Sequence, residues 1–293
     1  MLEFVRPQTV HKISELRDVV RDWRRAGDLI AVTPTMGGLH EGHLSLVRTA
    51  RRRARRVIAT IFVNPTQFGA SEDFESYPRD EARDTDLLER AGCDLVYIPN
   101  VAEMYPSGFA STISVDGLTS PLCGKHRTDH FDGVTTIVCK LLNQTQPDYA
   151  VFGEKDWQQL VTLRRMVRDL DMPVQVIGSP TLRDQDGLAM SSRNRYLSPA
   201  ERRTAGKLNK ALFAAADHIA SGVPVQRVIE ATRKALLSAG FERFDYLEAR
   251  HAVSLAPIER FTSDGEARVF AAGYLGQTRL IDNVPIERTG LTQ

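Results

Sequence analysis

The hydrophobic and polar positions of the first 180 residues alternate between short apolar runs and amphipathic stretches. Apolar runs bounded by turn residues are typical of buried parallel strands, whereas apolar residues recurring every three or four positions favour helices. The predicted strands cover residues 29–33, 57–63, 95–98, 149–152 and 174–177. The predicted helices cover about 11–26, 43–55, 80–91, 133–144 and 156–170. This alternation predicts a parallel sheet wound through right-handed βαβ units, which is a Rossmann-like domain.

After residue 180 the pattern changes. Helical stretches near 199–221 and 224–239 precede strand-like stretches at 244–252, 267–275 and 278–284. Helices followed by strands indicate a smaller α+β domain. The polar stretch 183–194, with the turn pair Asp186-Gly187, is the expected hinge. We therefore predict an α/β protein with domains at 1–180 and 181–293.

Composition limits the class of protein without naming it. A chain of 293 residues with 42% hydrophobic residues can bury a large core, and its net charge of +1 gives no global attraction to nucleic acid or an anionic membrane. We find no apolar run near the roughly 18 residues of a membrane span and no signal peptide, and we expect a cytoplasmic protein. Its three cysteines lack a CxxC spacing, which argues against a disulfide framework or a zinc site.

Residues 31–43 read AVTPTMGGLHEGH, an apolar run followed by a glycine-rich turn and two histidines. We expect a buried strand to 33, an open loop through Gly37 and Gly38, and a helix after it. A helix N-terminus carries about half a positive charge and several N–H groups that suit a phosphate. His40 and His43 are expected on one face of the first helical turn. A pair of structural histidines beside a tight turn is the alternative.

Polar motifs also follow other predicted strands. FVNPTQF at 62–68 and FGEKDWQQ at 152–159 each come after a strand, and SSRN at 191–194 lies in the expected hinge. Ligands of doubly wound sheets bind at the carboxyl ends of the strands, so these motifs are predicted to face one crevice. Singly they are weak, because Asn-Pro is a common turn and Lys155-Asp156 could be a helix cap.

Six motifs together carry a family resemblance. In order they are PTMGGLHEGHLSLV, FVNPTQF, YPR, HFDGVTTIV, FGEKDWQQL and LAMSSRNRYL. Between about residues 29 and 200 the chain resembles the pantothenate synthetases (pantoate–β-alanine ligases) of the HxGH nucleotidyltransferase superfamily, which also contains class I aminoacyl-tRNA synthetases. The resemblance implies a C-terminal lid, a homodimer, and ATP-dependent ligation of pantoate and β-alanine through a pantoyl-adenylate, with Mg²⁺, AMP and pyrophosphate.

Adenylation brings anions together, so it calls for positioning and cationic stabilisation rather than a protein nucleophile. Candidate catalytic groups are His43, His40, Lys155 and Arg193. Further candidate ATP contacts are Met36, Gly153, Asp156, Ser191 and Ser192, with Arg193 and its serines expected to fold over the phosphates. Met36 is as well explained by the core.

The resemblance assigns the remaining candidates. Gln67, Gln159 and Asn64 are implied to hold pantoate, and Arg127 and His130 to contact pyrophosphate or β-alanine. Asp84 resembles a carboxylate near magnesium, although a surface charge on a solvated helix would read the same.

Two other functions stay open. A run of arginines at 48, 51–53, 55 and 56 is typical of a nucleic-acid patch, but a solvated helix face explains it better, and no aromatic residues are interleaved for stacking. Another HxGH transferase with a different substrate is the second alternative.

Overall fold

The computed structural model describes residues 6–69, 74–262 and 265–287. The chain forms two compact units. Unit 1 comprises Met1–Thr119, Arg127–Glu154 and Gln159–Pro180, and unit 2 comprises Ser120–His126, Lys155–Gln158 and Thr181–Gln293. The hydrophobic pattern gave no indication that two short segments before residue 180 belong to unit 2. The functions predicted for the two domains stay predictions.

Unit 1 is built on a six-stranded, wholly parallel sheet in the order β1-β4-β3-β2-β5-β6. The strands are β1 Gln8–Val10, β2 Ile30–Thr35, β3 Arg56–Ile61, β4 Leu95–Tyr97, β5 Tyr149–Gly153 and β6 Gln175–Ser179. The prediction of a Rossmann-like parallel sheet is therefore confirmed. The sequence analysis missed β1, because a three-residue strand with one buried position shows no periodicity.

Seven helices begin within the described part of the first 180 residues. They are α1 Ile13–Arg25, α2 Glu41–Arg51, α3 Glu81–Ala91, α4 Val101–Met104, α5 Cys123–His126, α6 His130–Thr145 and α7 Trp157–Asp169. The five predicted helices are present with shifted ends, and the two four-residue helices were not predicted. The α6 helix starts at His130 rather than near 133, because Asp129 takes a left-handed conformation with φ of 60° and turns the chain directly into the helix.

The strand order reverses beside β2, since the chain runs from β2 outward to β3 and β4 and then returns to β5 on the other side. The neighbouring strands β2 and β5 pair at Ala31 with Tyr149 and at Val32 with Ala150. Both strands run on past the last of these pairs, to Thr35 and Gly153. Strands that part at their carboxyl ends leave the crevice in which doubly wound sheets bind ligands.

The core of unit 1 explains why α2 lies on the sheet. Its apolar positions Leu44, Leu46, Val47 and Ala50 are buried and recur at helical spacing. They belong to one cluster with residues of the central strands, including Ala31, Val57, Ala59, Val96 and Val151. This packing fixes the helix, and with it the motif at the helix N-terminus.

Unit 2 contains an antiparallel three-stranded sheet in the order β7-β8-β9, which confirms the predicted α+β pattern. Its strands are β7 Arg243–His251, β8 Ala267–Leu275 and β9 Thr278–Ile286, and its long helices are α8 Pro199–Ala220 and α9 Val225–Ser238. Ser198 and Glu201 form a capping box at the start of α8, with Pro199 in the first turn. Across the described segments, no helix has the length and apolar character needed to cross a membrane.

Candidate active site

The glycine-rich loop after β2 is tightly held. Gly37 and Gly38 have φ of 83° and 62°, values that other residues rarely adopt. A Cβ on Gly37 would lie 3.0 Å from Asp84 Oδ2 and 3.2 Å from Ile61 Cγ2. The loop therefore requires glycine here, both for its backbone conformation and for the closeness of α3.

Asp84 fixes this loop from α3. One carboxylate oxygen accepts the Gly38 N–H at 2.8 Å and the other accepts the Leu39 N–H at 2.9 Å. The residue is 1% exposed, so the alternative of a surface charge is wrong. Burial raises the pKa of the Asp84 carboxyl above its usual range, although the two backbone N–H groups lower it.

The predicted role of Asp84 beside magnesium stays a prediction. Both of its oxygens are already hydrogen-bonded to the loop, and no three His, Cys, Asp or Glu side chains gather as a metal site within 6–69, 74–262 and 265–287. Magnesium in ATP enzymes is held by one or two carboxylates together with phosphates and waters. We therefore treat Asp84 as the anchor of the glycine loop and derive no step through the ion.

The two histidines cap α2 reciprocally. His40 is the N-cap and lies outside the helix, which begins at Glu41, so the expectation that both histidines share the first turn is wrong. His40 Nδ1 accepts the Gly42 N–H at 3.1 Å, and His43 Nδ1 accepts the His40 N–H at 3.4 Å. The ring centroids are 4.2 Å apart, so the capping arrangement brings the two rings together as expected.

This arrangement selects the tautomer of both rings. An Nδ1 atom that accepts a hydrogen bond carries no proton, so a neutral ring has its proton on Nε2. His40 and His43 are thereby pre-set as Nε2–H donors at a helix N-terminus, where backbone N–H groups and the helix dipole also favour an anion.

Asn64 and Gln67 form a second polar group, in the turn after β3. Asn64 is 1% exposed, and its amide group donates to Gln67 Oε1 at 3.2 Å and to the Gly133 carbonyl at 3.1 Å. Its oxygen accepts the hydroxyl of Tyr105 at 2.8 Å. Gln67 Nε2 in turn donates to Met36 Sδ at 2.7 Å. The structure thus brings together Met36, Asn64 and Gln67, with Met36 half-buried, and the predicted contact of Met36 with a substrate stays a prediction.

Arg127 and His130 converge on the backbone of the same turn. His130 Nδ1 donates to the Gln67 carbonyl at 2.8 Å, and Arg127 Nη2 donates to that carbonyl at 3.3 Å. Arg127 Nη1 lies 2.8 Å from His130 Nε2, which must accept, so this ring has the opposite tautomer to His40 and His43. The described contacts make this pair a support for Gln67. Their predicted contacts with pyrophosphate or β-alanine stay predictions.

Gly133 is a site residue that the sequence analysis did not single out. A Cβ at this position in α6 would lie 2.4 Å from the Thr66 carbonyl oxygen and 2.9 Å from the Gln67 nitrogen. Only glycine lets the helix approach the Asn64–Gln67 turn this closely. The signal was present in the motif HFDGVTTIV, in which a glycine interrupts an otherwise apolar helix.

Lys155 lies in the short 3-10 turn Glu154–Asp156 that follows β5. The preceding Gly153 ends the strand, and a Cβ there would meet Leu46 Cδ2 at 3.9 Å. Lys155 is half-buried and Asp156 is exposed. The backbone carbonyl of Lys155 accepts a hydrogen bond from Asn283 Nδ2 at 2.9 Å. The turn is therefore tied to β9 in unit 2.

The Ser191–Arg193 loop has its own local cap. Ser191 precedes the 3-10 segment Ser192–Tyr196, and its hydroxyl accepts the Arg193 N–H at 3.3 Å. All three residues are half-buried. Their predicted closure over the ATP phosphates stays a prediction, as does the predicted contact of Gln159, a half-buried residue of α7, with pantoate.

The arginine run is largely occupied by acidic partners. Arg51 contacts Asp94 at 2.8 Å, and Arg56 contacts Asp28 at 2.7 Å. Arg48 pairs with Glu41 on α2. These pairs neutralise much of the local charge, and they weaken the argument for a nucleic-acid surface at this place.

Comparisons with known proteins agree on one family. The family model described as Pantoate-beta-alanine ligase matches residues 8–285. A pantothenate synthetase from Mesorhizobium japonicum is 52% identical over 281 residues, covering 96% of this chain and 98% of that protein. One from Caulobacter vibrioides is 51% identical over 285 residues, covering 96% and 99%.

Solved structures give the same result. Pantothenate synthetase from Thermus thermophilus is similar with a TM-score of 0.87 and 45% identity, covering 96% of this chain and 99% of that chain. Pantoate-beta-alanine ligase from Francisella tularensis, complexed with beta-gamma ATP and beta-alanine, has a TM-score of 0.81 and 30% identity, covering 97% and 99%.

Proposed function

The chain belongs to the pantoate-beta-alanine ligase family, as its motifs predicted, and on this premise we propose that it joins pantoate to β-alanine in two steps that consume ATP. Its relatives are ligases that form an amide bond, so the chain is an enzyme of that kind. The Francisella tularensis neighbour, complexed with beta-gamma ATP and beta-alanine, supports ATP and β-alanine as substrates here.

In the first proposed step, a carboxylate oxygen of pantoate attacks the α-phosphorus of ATP. The bond from that phosphorus to the bridging oxygen of pyrophosphate breaks, and pantoyl-adenylate forms. In the second step, the neutral amine of β-alanine attacks the acyl carbon, the bond to AMP breaks, and the nitrogen loses a proton. Negative charge grows on the phosphate oxygens in the first step, so fixed donors should lower its barrier.

The cap of α2 is the observation that carries this proposal. Its two histidines are set as Nε2–H donors at the carboxyl end of a central strand, beside a loop that has no side chain at Gly37 or Gly38. We propose that His40 and His43 hold the α-phosphate. Such pre-set donors cost no reorganisation during the reaction, which is the condition for large electrostatic catalysis.

We assign the remaining roles by residue type. Lys155 supplies a mobile positive charge to the phosphate and the incoming carboxylate, and Arg193 with Ser191 and Ser192 covers the β- and γ-phosphates. Gly153 and Asp156 flank the ATP site. Met36 contacts the apolar part of a substrate.

Gln67 and Gln159 read the hydroxyl and carboxylate oxygens of pantoate, and Asn64 holds Gln67 in place, as its hydrogen bond to Gln67 Oε1 supports. The homodimer and the cytoplasmic location implied by the family stay predictions.

Exchange of labelled pyrophosphate into ATP tests the two-step order. We expect exchange to require pantoate and not β-alanine, since the adenylate forms before the amine is used, and AMP release to require both. Replacing pantoate by other carboxylic acids tests the substrate in the same assay. An absolute requirement for β-alanine in the exchange would contradict the adenylate route and favour a concerted reaction.

A further inference from the structure

The segment Lys155–Gln158 belongs to unit 2 and makes one contact on or directly beside each of the three strands of that unit. Asn283 on β9 donates from Nδ2 to the Lys155 carbonyl at 2.9 Å. Trp157 Nε1 donates to the carbonyl of Ala252, immediately after β7, at 2.7 Å. The guanidinium of Arg268 on β8 lies 3.8 Å from the centroid of the Trp157 ring.

Asn283 and Arg268 also hold each other. Arg268 Nε donates to Asn283 Oδ1 at 2.6 Å, which leaves the amide nitrogen of Asn283 pointing to Lys155. The orientation of the amide is therefore fixed by its partners, because only its oxygen can accept from a guanidinium. Asn283 is 2% exposed and Arg268 is 8% exposed, so both contacts are shielded from water.

A lysine side chain is long and flexible, and fixing its backbone end sets the volume that its ammonium group can sample. Displacing a catalytic group by about 1 Å can cost about 10²-fold in rate. We infer that Asn283 and Arg268 are positioning residues for Lys155, and that they act on adenylation by fixing the Lys155–Trp157 turn. This inference rests on the proposed function of Lys155.

Asn283→Asp tests the single hydrogen bond with little change in shape. An aspartate still accepts from Arg268, but it presents an oxygen to the Lys155 carbonyl instead of a donor. We expect kcat for pantoate-dependent pyrophosphate exchange to fall by about 10- to 10²-fold, with KM for ATP and pantoate changed by no more than about twofold. Arg268→Lys, which loses the planar group over Trp157, should lower kcat in the same direction.

Val284→Ala is the matched control. Val284 is the next residue on β9 and is fully buried in the core of unit 2, so its truncation lowers the melting temperature without touching the Lys155 carbonyl. We expect this variant to keep kcat within about twofold at a temperature well below its transition. A loss of kcat that follows melting temperature equally in both variants would overturn the inference.

A double-mutant cycle with Lys155→Ala tests the positioning role of Asn283 separately from the proposed catalytic role of Lys155. If Asn283 acts through Lys155, Asn283→Asp should cost no more than about twofold in the Lys155→Ala background, whereas independent effects would multiply. Multiplication would overturn the positioning role and leave the role of Lys155 intact. Full exchange activity of Lys155→Ala alone would instead refute the proposed function of Lys155, whatever Asn283 does.

Discussion

Two turns follow the neighbouring strands β2 and β5 of the sheet, and they are fixed in opposite ways. The turn at His40 and His43 is held by hydrogen bonds between residues two or three positions apart. The turn at Lys155 is held by Trp157 and Asn283, through bonds that span 95 and 128 positions. The first can form as soon as its helix forms. The second needs a folded unit 2. If Lys155 is catalytic, as we propose, distant substitutions in unit 2 are expected to lower the rate while leaving the histidine cap unchanged.

The largest expected effect tests whether the His40–His43 turn and the Lys155 turn both contribute to adenylation. His43→Ala and Lys155→Ala should each lower the rate of pantoate-dependent pyrophosphate exchange by about 10²- to 10³-fold, or roughly 3 to 4 kcal/mol of transition-state stabilisation. Single-turnover measurements of pyrophosphate formation, with pantoate present and β-alanine absent, would confirm that adenylation is the affected step.

Lys210→Ala, at an exposed lysine of α8, is the control for removing a positive charge and should have little effect. The variants should also keep a cooperative thermal transition. If activity is lost together with that transition, the residue in question has a structural role.

A substitution at Asp84 tests whether the first turn depends on contacts with distant residues. Asp84 joins Gly38 and Leu39 to α3 by hydrogen bonds that span 46 and 45 positions of the chain. Asp84→Asn turns an N–H group toward one backbone N–H and should lower the free energy of unfolding by about 1 to 3 kcal/mol at neutral pH. Chemical denaturation measures this directly. Little loss would mean that the histidine cap holds the loop without α3.

The pH dependence of the difference in free energy of unfolding between the natural protein and Asp84→Asn tests the ionisation of Asp84. Burial raises the pKa of this carboxyl in the folded protein above its unfolded value, so the folded state binds the proton more tightly. The contribution of Asp84 to the free energy of unfolding is then fully present below the pKa of the unfolded state. It decreases as pH rises through the pKa of the folded state. The stability gap between the natural protein and Asp84→Asn should therefore widen as pH falls from neutral toward about 4. A narrowing gap would mean that the two backbone N–H groups outweigh burial.

These contacts also show which parts of the molecule could be predicted from the sequence. The strands, the long helices and the α+β pattern of unit 2 were predictable, because apolar spacing is a local property that packing then uses. The motifs also named Lys155 and Gln67. Asn283 and Arg268 carry no local signal, since their roles depend on contacts between residues far apart in the chain.

Two errors have the same physical origin. His40 was expected to share the first turn of the helix with His43, but it is the N-cap, and its capping role depends on ring geometry that a sequence does not show. The alternative of a surface charge at Asp84 was wrong as well, because Asp84 is buried against Gly38 and Leu39. A polar residue at helical spacing does not reveal whether its face is buried by a distant loop.

Gln67 is held by both local and long-range contacts, so it is intermediate between the two turns. Its side chain contacts Asn64 locally and Met36 at a distance, and its backbone carbonyl accepts from His130. Gln67→Ala should weaken pantoate binding by about 1 to 3 kcal/mol and change ATP affinity little, because the backbone carbonyl remains. Calorimetric titration with each ligand measures both. Gln175→Ala, at an exposed position of β6, is the matched control. Equal losses for the two ligands would mean that Gln67 only supports the loop.

The smallest expected effect separates the observed role of His40 as N-cap from its proposed role as a phosphate donor. His40→Ala removes the acceptor for the Gly42 N–H and should lower the free energy of unfolding by about 1 kcal/mol, the usual cost of losing an N-cap. Asparagine is a good N-cap, so His40→Asn should restore that stability. It does not provide an Nε2–H donor at the end of a ring, so pyrophosphate exchange should stay as low as in His40→Ala. Measuring unfolding and exchange on the same two variants decides the matter. If asparagine restores both, the cap alone accounts for His40, and His43 would have to supply the donor without it.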